Sequence, residues 1–115
     1  TSNPQLFEVM MESVLLLVNS APSSENAQRA WQLAQTLHGQ GQSVSLFLLQ
    51  DGVLAALKGE AALRDLPREI ACYALGEDLS LRGFTPLKLR EQVQVADYTR
   101  LVDLFDQHTR VIGAL

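Results

Sequence analysis

The stretch "SVLLLVNSAPSSENAQRAWQLAQTLHG", residues 13–39, changes its hydrophobic period once, and that change decides the fold. Ser13–Ser20 is apolar on both alternating faces, the pattern of a strand covered on both sides. "NSAPSSEN" then supplies turn and cap residues with a proline. From Ser24 to His38 the apolar residues Ala27, Ala30, Trp31, Ala34 and Leu37 recur at helical spacing and define one buried face. The glycines of "HGQG" stop the helix, with His38 near the negative end of its dipole.

The same alternation continues outward. "SVSLFLL" (Ser43–Leu49) reads as a second buried strand ended by "QDG". "VLAALKG" reads as a short helix and "EAALRDL" as a further helical turn or its continuation, stopped at Pro67. "EIACYAL" (Glu69–Leu75) is a third strand, and "GEDLSLRGF" a short helix with an acidic first turn and a glycine stop. "QVQVADYTRLVDLFDQH" joins a brief alternating segment to a helix capped by Asp97, and "TRVIGAL" is a last strand. Strands alternating with helices mean βαβ units. The expected fold is an α/β three-layer α/β/α sandwich around a mostly parallel sheet of four or five strands.

A length of 115 residues fits one domain, and residues 13–115 are expected to form it after a short, poorly ordered leader at 1–12. At that size folding buries roughly two thirds of the unfolded chain's surface, so no staple is needed. The composition, 47% hydrophobic and 19% charged, is that of a globular chain. With a net charge of −4 and nine basic residues scattered singly or in pairs, direct contact with nucleic acid is not expected. The longest apolar run, "VLLLV", is far short of a membrane span, so a membrane partner is not expected either. A single cysteine suits a reducing compartment, and the expected location is the cytoplasm.

Ligands of open parallel sheets bind at the carboxyl ends of the strands. The candidates are therefore Asn19, Ser20, Ser23 and Ser24 in front of a helix N-terminus, Asp51 and Gly52 after the second strand, and Leu75 and Gly76 after the third. Turn and cap chemistry explains the serines, Asp-Gly and the acidic Glu77–Asp78 first turn equally well, and is the first account of each. Neither G-x-G-x-x-G nor G-x-x-x-x-G-K-[ST] occurs, and there is no C-x-x-C or paired-His spacing, so no cofactor and no metal are expected. His38 and His108 fall near helix C-termini, where a positive ring is favourable without a function. "RGFTPLKLR" gathers Arg82, Lys88 and Arg90 in what reads as a solvated loop.

Three segments, "LLQDGV", "YALGEDLSLRGF" and "VADYTRLVDLFDQHT", follow one another in an order that resembles the DsrE/DsrF/DsrH-like family, its DsrH (TusB) branch in particular. Gln50–Val53, Tyr73–Gly83 and Asp97–Leu104 match that pattern, and the resemblance covers roughly Ser43 to the end. It implies a small α/β fold assembling into dimers, trimers or hexamers, in complexes that pass persulfide sulfur toward tRNA thiolation or within sulfur oxidation. It implies as partners the chain itself and related DsrE/DsrF-like subunits. Sulfur-carrying members place a cysteine at the carboxyl end of the strand before the R-G segment. Here that position falls at about Leu75, three residues after Cys72. Flanked by Ala71 and Tyr73, Cys72 is expected to be a covered, inert core residue, and the chain an accessory subunit without catalysis of its own. A sulfurtransferase using Cys72, or a small-molecule or anion-binding module, are the alternatives. The C-terminal segment holds Leu101, Val102, Leu104, Phe105, Val111, Ile112 and Leu115, more apolar groups than one helix face and one strand need, so an oligomer is expected.

Overall fold

A computed structural model describes residues 12–113. The leader reading at residues 1–11 and the apolar Leu115 lie outside these. Five strands form one sheet: β1 (Ser13–Val18), β2 (Ser43–Leu48), β3 (Ala71–Leu75), β4 (Val93–Ala96) and β5 (Arg110–Ile112). Their order is β4-β3-β2-β1-β5, and every pairing is parallel. Three α-helices connect them: α1 (Glu25–Gly39), α2 (Gly76–Leu81) and α3 (Tyr98–Gln107). The expected α/β architecture is therefore present.

The period-two alternation sends residues to two cores. Val14, Leu16, Val18, Val44, Leu46, Leu48, Cys72 and Ala74 face α1 and α2, whose Ala27, Ala30, Trp31, Ala34, Leu37 and Leu79 close that side. Leu15, Phe47, Tyr73 and Leu75 face α3, which contributes Leu101 and Leu104. The helical face predicted for α1 is the buried one in all five positions. Its cap is Ser24, whose Oγ accepts from Ala27 N at 3.1 Å and donates to the Ala21 carbonyl at 2.7 Å. Asp97 caps α3 in the same way, accepting from Arg100 N at 2.8 Å. At the other end of α3, His108 Nδ1 lies 2.7 Å from the Leu104 carbonyl and Nε2 lies 2.9 Å from Ser45 Oγ. The carbonyl can only accept, so in the neutral ring Nδ1 donates and Nε2 accepts from the buried Ser45.

The connection from β2 to β3 differs from the expectation. A 3₁₀ helix begins at Gln50, inside the "QDG" expected to precede it, and ends at Ala56. "EAALRDL" adds turns but no helix. Leu57 is drawn into an isolated antiparallel bridge with Leu89, which takes the backbone out of helical geometry. β3 likewise starts at Ala71 instead of Glu69, because Ile70 N closes a turn onto the Pro67 carbonyl at 3.1 Å.

Gly52 is fixed by packing. A Cβ there would overlap the backbone carbonyl of Val18 at the end of β1, a neighbour that cannot step aside. Gly52→Ala is therefore expected to cost at least about 2 kcal/mol. Gly59→Ala, which meets nothing within 4 Å, should stay within about 1 kcal/mol of the parent. Urea unfolding of the two variants checks this, and matching midpoints would refute the close-approach account.

Candidate functional site

Where two neighbouring strands send their connections to opposite faces of a parallel sheet, their carboxyl ends part and leave a crevice. Here that happens between β3 and β4. The chain leaves β3 through α2, which packs with the α1 core, and leaves β4 through α3, which packs on the other face. A cavity of about 500 Å³ occupies this position. Tyr73, Leu75, Gly76 and Glu77 line it from one side, and Gln94 to Tyr98 with Arg100 line it from the other.

Its chemistry comes from a short stack. Phe47 and Tyr73 lie with ring centroids 6.1 Å apart and planes at 19°. The Arg100 guanidinium carbon sits 5.5 Å from the Tyr73 centroid, and its Nη2 reaches the phenolic oxygen at 3.4 Å. Glu77 and Asp97 put two carboxylates on the lining against the one guanidinium, so the crevice is not an anion trap. No thiol lines it. It can hold an apolar or aromatic group with polar anchors, and it offers no sulfur nucleophile of its own.

The predicted site residues divide. Leu75 and Gly76 are on the cavity wall. The loop after β1 goes elsewhere: Ser24 spends its oxygen on the helix cap, and Asn19, Ser20 and Ser23 line no part of the crevice. Asp51 and Gly52 belong to a structural lock. Arg82 Nη2 donates to Asp51 Oδ1 at 2.9 Å, and Arg82 Nη1 donates to the Asp78 carbonyl at 3.2 Å. Asp78 Oδ2 accepts from Gln50 N at 2.7 Å, holding Gln50 at φ 49°, a left-handed conformation uncommon outside glycine. The carboxylate, guanidinium and glycine of the "QDG" and "DLSLRG" segments thus tie the β2 and β3 exits together. Tyr73, Gln94, Tyr98 and Arg100 are not among the candidates read from the sequence. Asp97 as a helix cap after an alternating segment was the available signal, since it marks a strand's carboxyl end.

Cys72 is fully buried, pointing into the α1 side of β3, opposite Tyr73 and Leu75. Sliding β3 by three residues to bring the thiol to position 75 would also reverse its face, because strand side chains alternate. Burial pushes the thiol up to about 12 from an ordinary 9.0.

The family model for DsrH like protein matches residues 20–111. Protein TusB of Serratia proteamaculans (strain 568) is 44% identical over 64 residues, 55% of this chain and 66% of that protein. Protein TusB of Escherichia fergusonii is 45% identical over 65 residues, 56% of this chain and 67% of its own. The chain thus spans about two thirds of the relatives it matches. Among solved structures, the ychN protein from E. coli superposes with a TM-score of 0.82 at 23% identity, covering 90% of this chain and 100% of that one. MTH1491 from Methanobacterium thermoautotrophicum, a protein of unknown function, gives 0.71 at 14% identity over 90% and 99%. These two likenesses speak to the fold.

The raised thiol makes a pH prediction with a definite sign. Between pH 9.0 and about 12 the unfolded chain releases the Cys72 proton while the folded chain keeps it, so stability falls as pH rises. The loss in the parent should exceed that in Cys72→Ala by up to about 1.4 kcal/mol per pH unit. Below pH 9.0 the substitution should cost about 1 kcal/mol or slightly more from its cavity. Native maleimide labelling should be slow and become fast in denaturant. Parallel alkaline curves for the two proteins, or fast native labelling, would contradict the burial.

Proposed function

Because the chain belongs to the DsrH-like protein family, we propose that it is a subunit of a persulfide sulfur-relay system, acting by association and not as the sulfur carrier. One observation carries the second half of this reading: the only thiol is sealed on the α1 side of β3, while the crevice at the carboxyl end of that strand has none. A thiol held at about 12 has on the order of one thiolate in 10⁵ at neutral pH, too little to attack a persulfide. The site at Leu75 and Gly76 then receives a partner's segment in place of performing the transfer.

The partners in this reading are related DsrE/DsrF-like subunits or further copies of the chain, in the cytoplasm. Support comes from an apolar stripe beside the crevice. Tyr98, Val102 and Phe105 recur at i, i+4 and i+7 on α3, and with Val95 of β4 they are 39% to 56% exposed. β4 is also an edge strand with neither charge nor proline in "VQVA", the devices by which exposed edges are usually protected. No helix among the described residues is long and apolar enough to cross a membrane. A small-molecule-binding module is the second reading, favoured by the aromatic and guanidinium lining of the crevice.

Light scattering at micromolar concentration should give a mass above that of one chain, and Val102→Asp with Phe105→Asp should return it to one. Treated with a persulfide donor, the native chain should gain no sulfur on Cys72 by mass spectrometry, while a cysteine-bearing partner in the same tube should. A monomer that binds no related subunit, or a stoichiometric persulfide on Cys72, would overturn the reading.

A further inference from the structure

The cations of "RGFTPLKLR" do not stay together. Arg82 folds back to Asp51, while Lys88 and Arg90 go to the opposite end of the sheet, beside the amino ends of β3 and β4. There the chain around Leu57 runs against the chain around Leu89. Lys58 N donates to the Lys88 carbonyl at 2.9 Å, and Arg90 N donates to the Ala56 carbonyl at 2.9 Å. The pairing holds the backbone of Lys58 and Arg90 in place at this end of the sheet. Arg68 approaches from the turn before β3, and Lys58, Arg68 and Arg90 with Glu91 and Gln92 line a cavity of about 410 Å³.

Carboxylates are abundant in this chain of net charge −4, yet they are not spent here. Among the described residues Arg29, Arg82 and Arg110 each have a carboxylate within 4.0 Å, whereas Lys58, Arg64, Arg68, Lys88, Arg90 and Arg100 have none, and three of these six line this one pocket. Three cations face one carboxylate on the lining, so the pocket is locally positive within an acidic protein. The Arg90 side chain donates to the Glu60 carbonyl, but its Nε is buried with no acceptor. A buried N–H without a partner is costly and asks for an explanation.

We propose that this pocket binds a tetrahedral oxyanion of the phosphate or sulfate class, with Arg68 supplying a planar fork, Arg90 its remaining Nη1 donor and Lys58 a point charge. The site lies at the amino ends of β3 and β4, away from the crevice at their carboxyl ends, so it stands whether or not the relay reading does.

The test is titration of the full ¹⁵N-labelled chain with sodium phosphate at fixed ionic strength, with sodium chloride as the reference. Saturable amide shifts are expected at Lys58, Arg68 and Arg90–Gln92. Lys58→Gln with Arg68→Gln should weaken phosphate binding at least about tenfold, and Arg29→Gln should leave it unchanged. If the double variant loses its dispersed spectrum, each single variant, expected to weaken binding about threefold, decides the point. Shifts that follow chloride equally, that centre on Ser20–Ser24, or that survive the substitutions would overturn the site. So would binding of a short oligonucleotide at these residues with no response to free phosphate.

Discussion

Handedness governs this molecule more than any single contact. In a parallel sheet each strand returns to its neighbour by a right-handed crossover, so successive crossovers moving in one direction lie on one face. The chain makes three such moves, β1 to β2, β2 to β3 and β3 to β4, and α1, the 3₁₀ segment and α2 accordingly share one face. The other face receives cover when the chain leaves β4 and returns to pair β5 with β1. That single return, α3, must cover what three connections cover opposite. It buries two residues, Leu101 and Leu104, and leaves a stripe of apolar side chains unpartnered. The crevice and the exposed stripe both follow from one reversal of direction.

What was legible in the sequence was local. The face of α1, the caps Ser24 and Asp97, and the ordering of strands and helices rest on period and cap chemistry within a dozen residues. Residues 57–66 read as helical from sequence because Ala and Leu favour helix, while the bridge that overrides them pairs Leu57 with Leu89, thirty-two positions away. The site failed for the same reason. Tyr73 and Arg100 meet because α3 crosses to the second face, and nothing near either residue announces the other.

The residues by which the chain resembles its family carry mechanical tasks here. Gly52 lets the β2 exit pass beneath the end of β1, Asp78 holds Gln50 in its left-handed turn, and Arg82 spans Asp51 and the Asp78 carbonyl. Gly83 then ends α2 with φ +74°, where a side chain would be strained. A motif of polar residues at strand ends reads like a catalytic constellation. In this chain its hydrogen-bonding capacity is consumed internally, and the open chemistry lies one strand further along.

The two ends of β3 and β4 are therefore specialised in opposite senses. At the carboxyl ends Glu77 and Asp97 share a crevice with one guanidinium, and the apolar stripe of α3 adjoins it. At the amino ends Lys58, Arg68 and Arg90 face the single carboxylate of Glu91. A partner approaching from solution meets a surface whose sign depends on its orientation, and complementary potentials select orientation more than they add affinity. A charge difference that runs along the edge strand β4 and its neighbour β3 is a physical means of fixing that orientation.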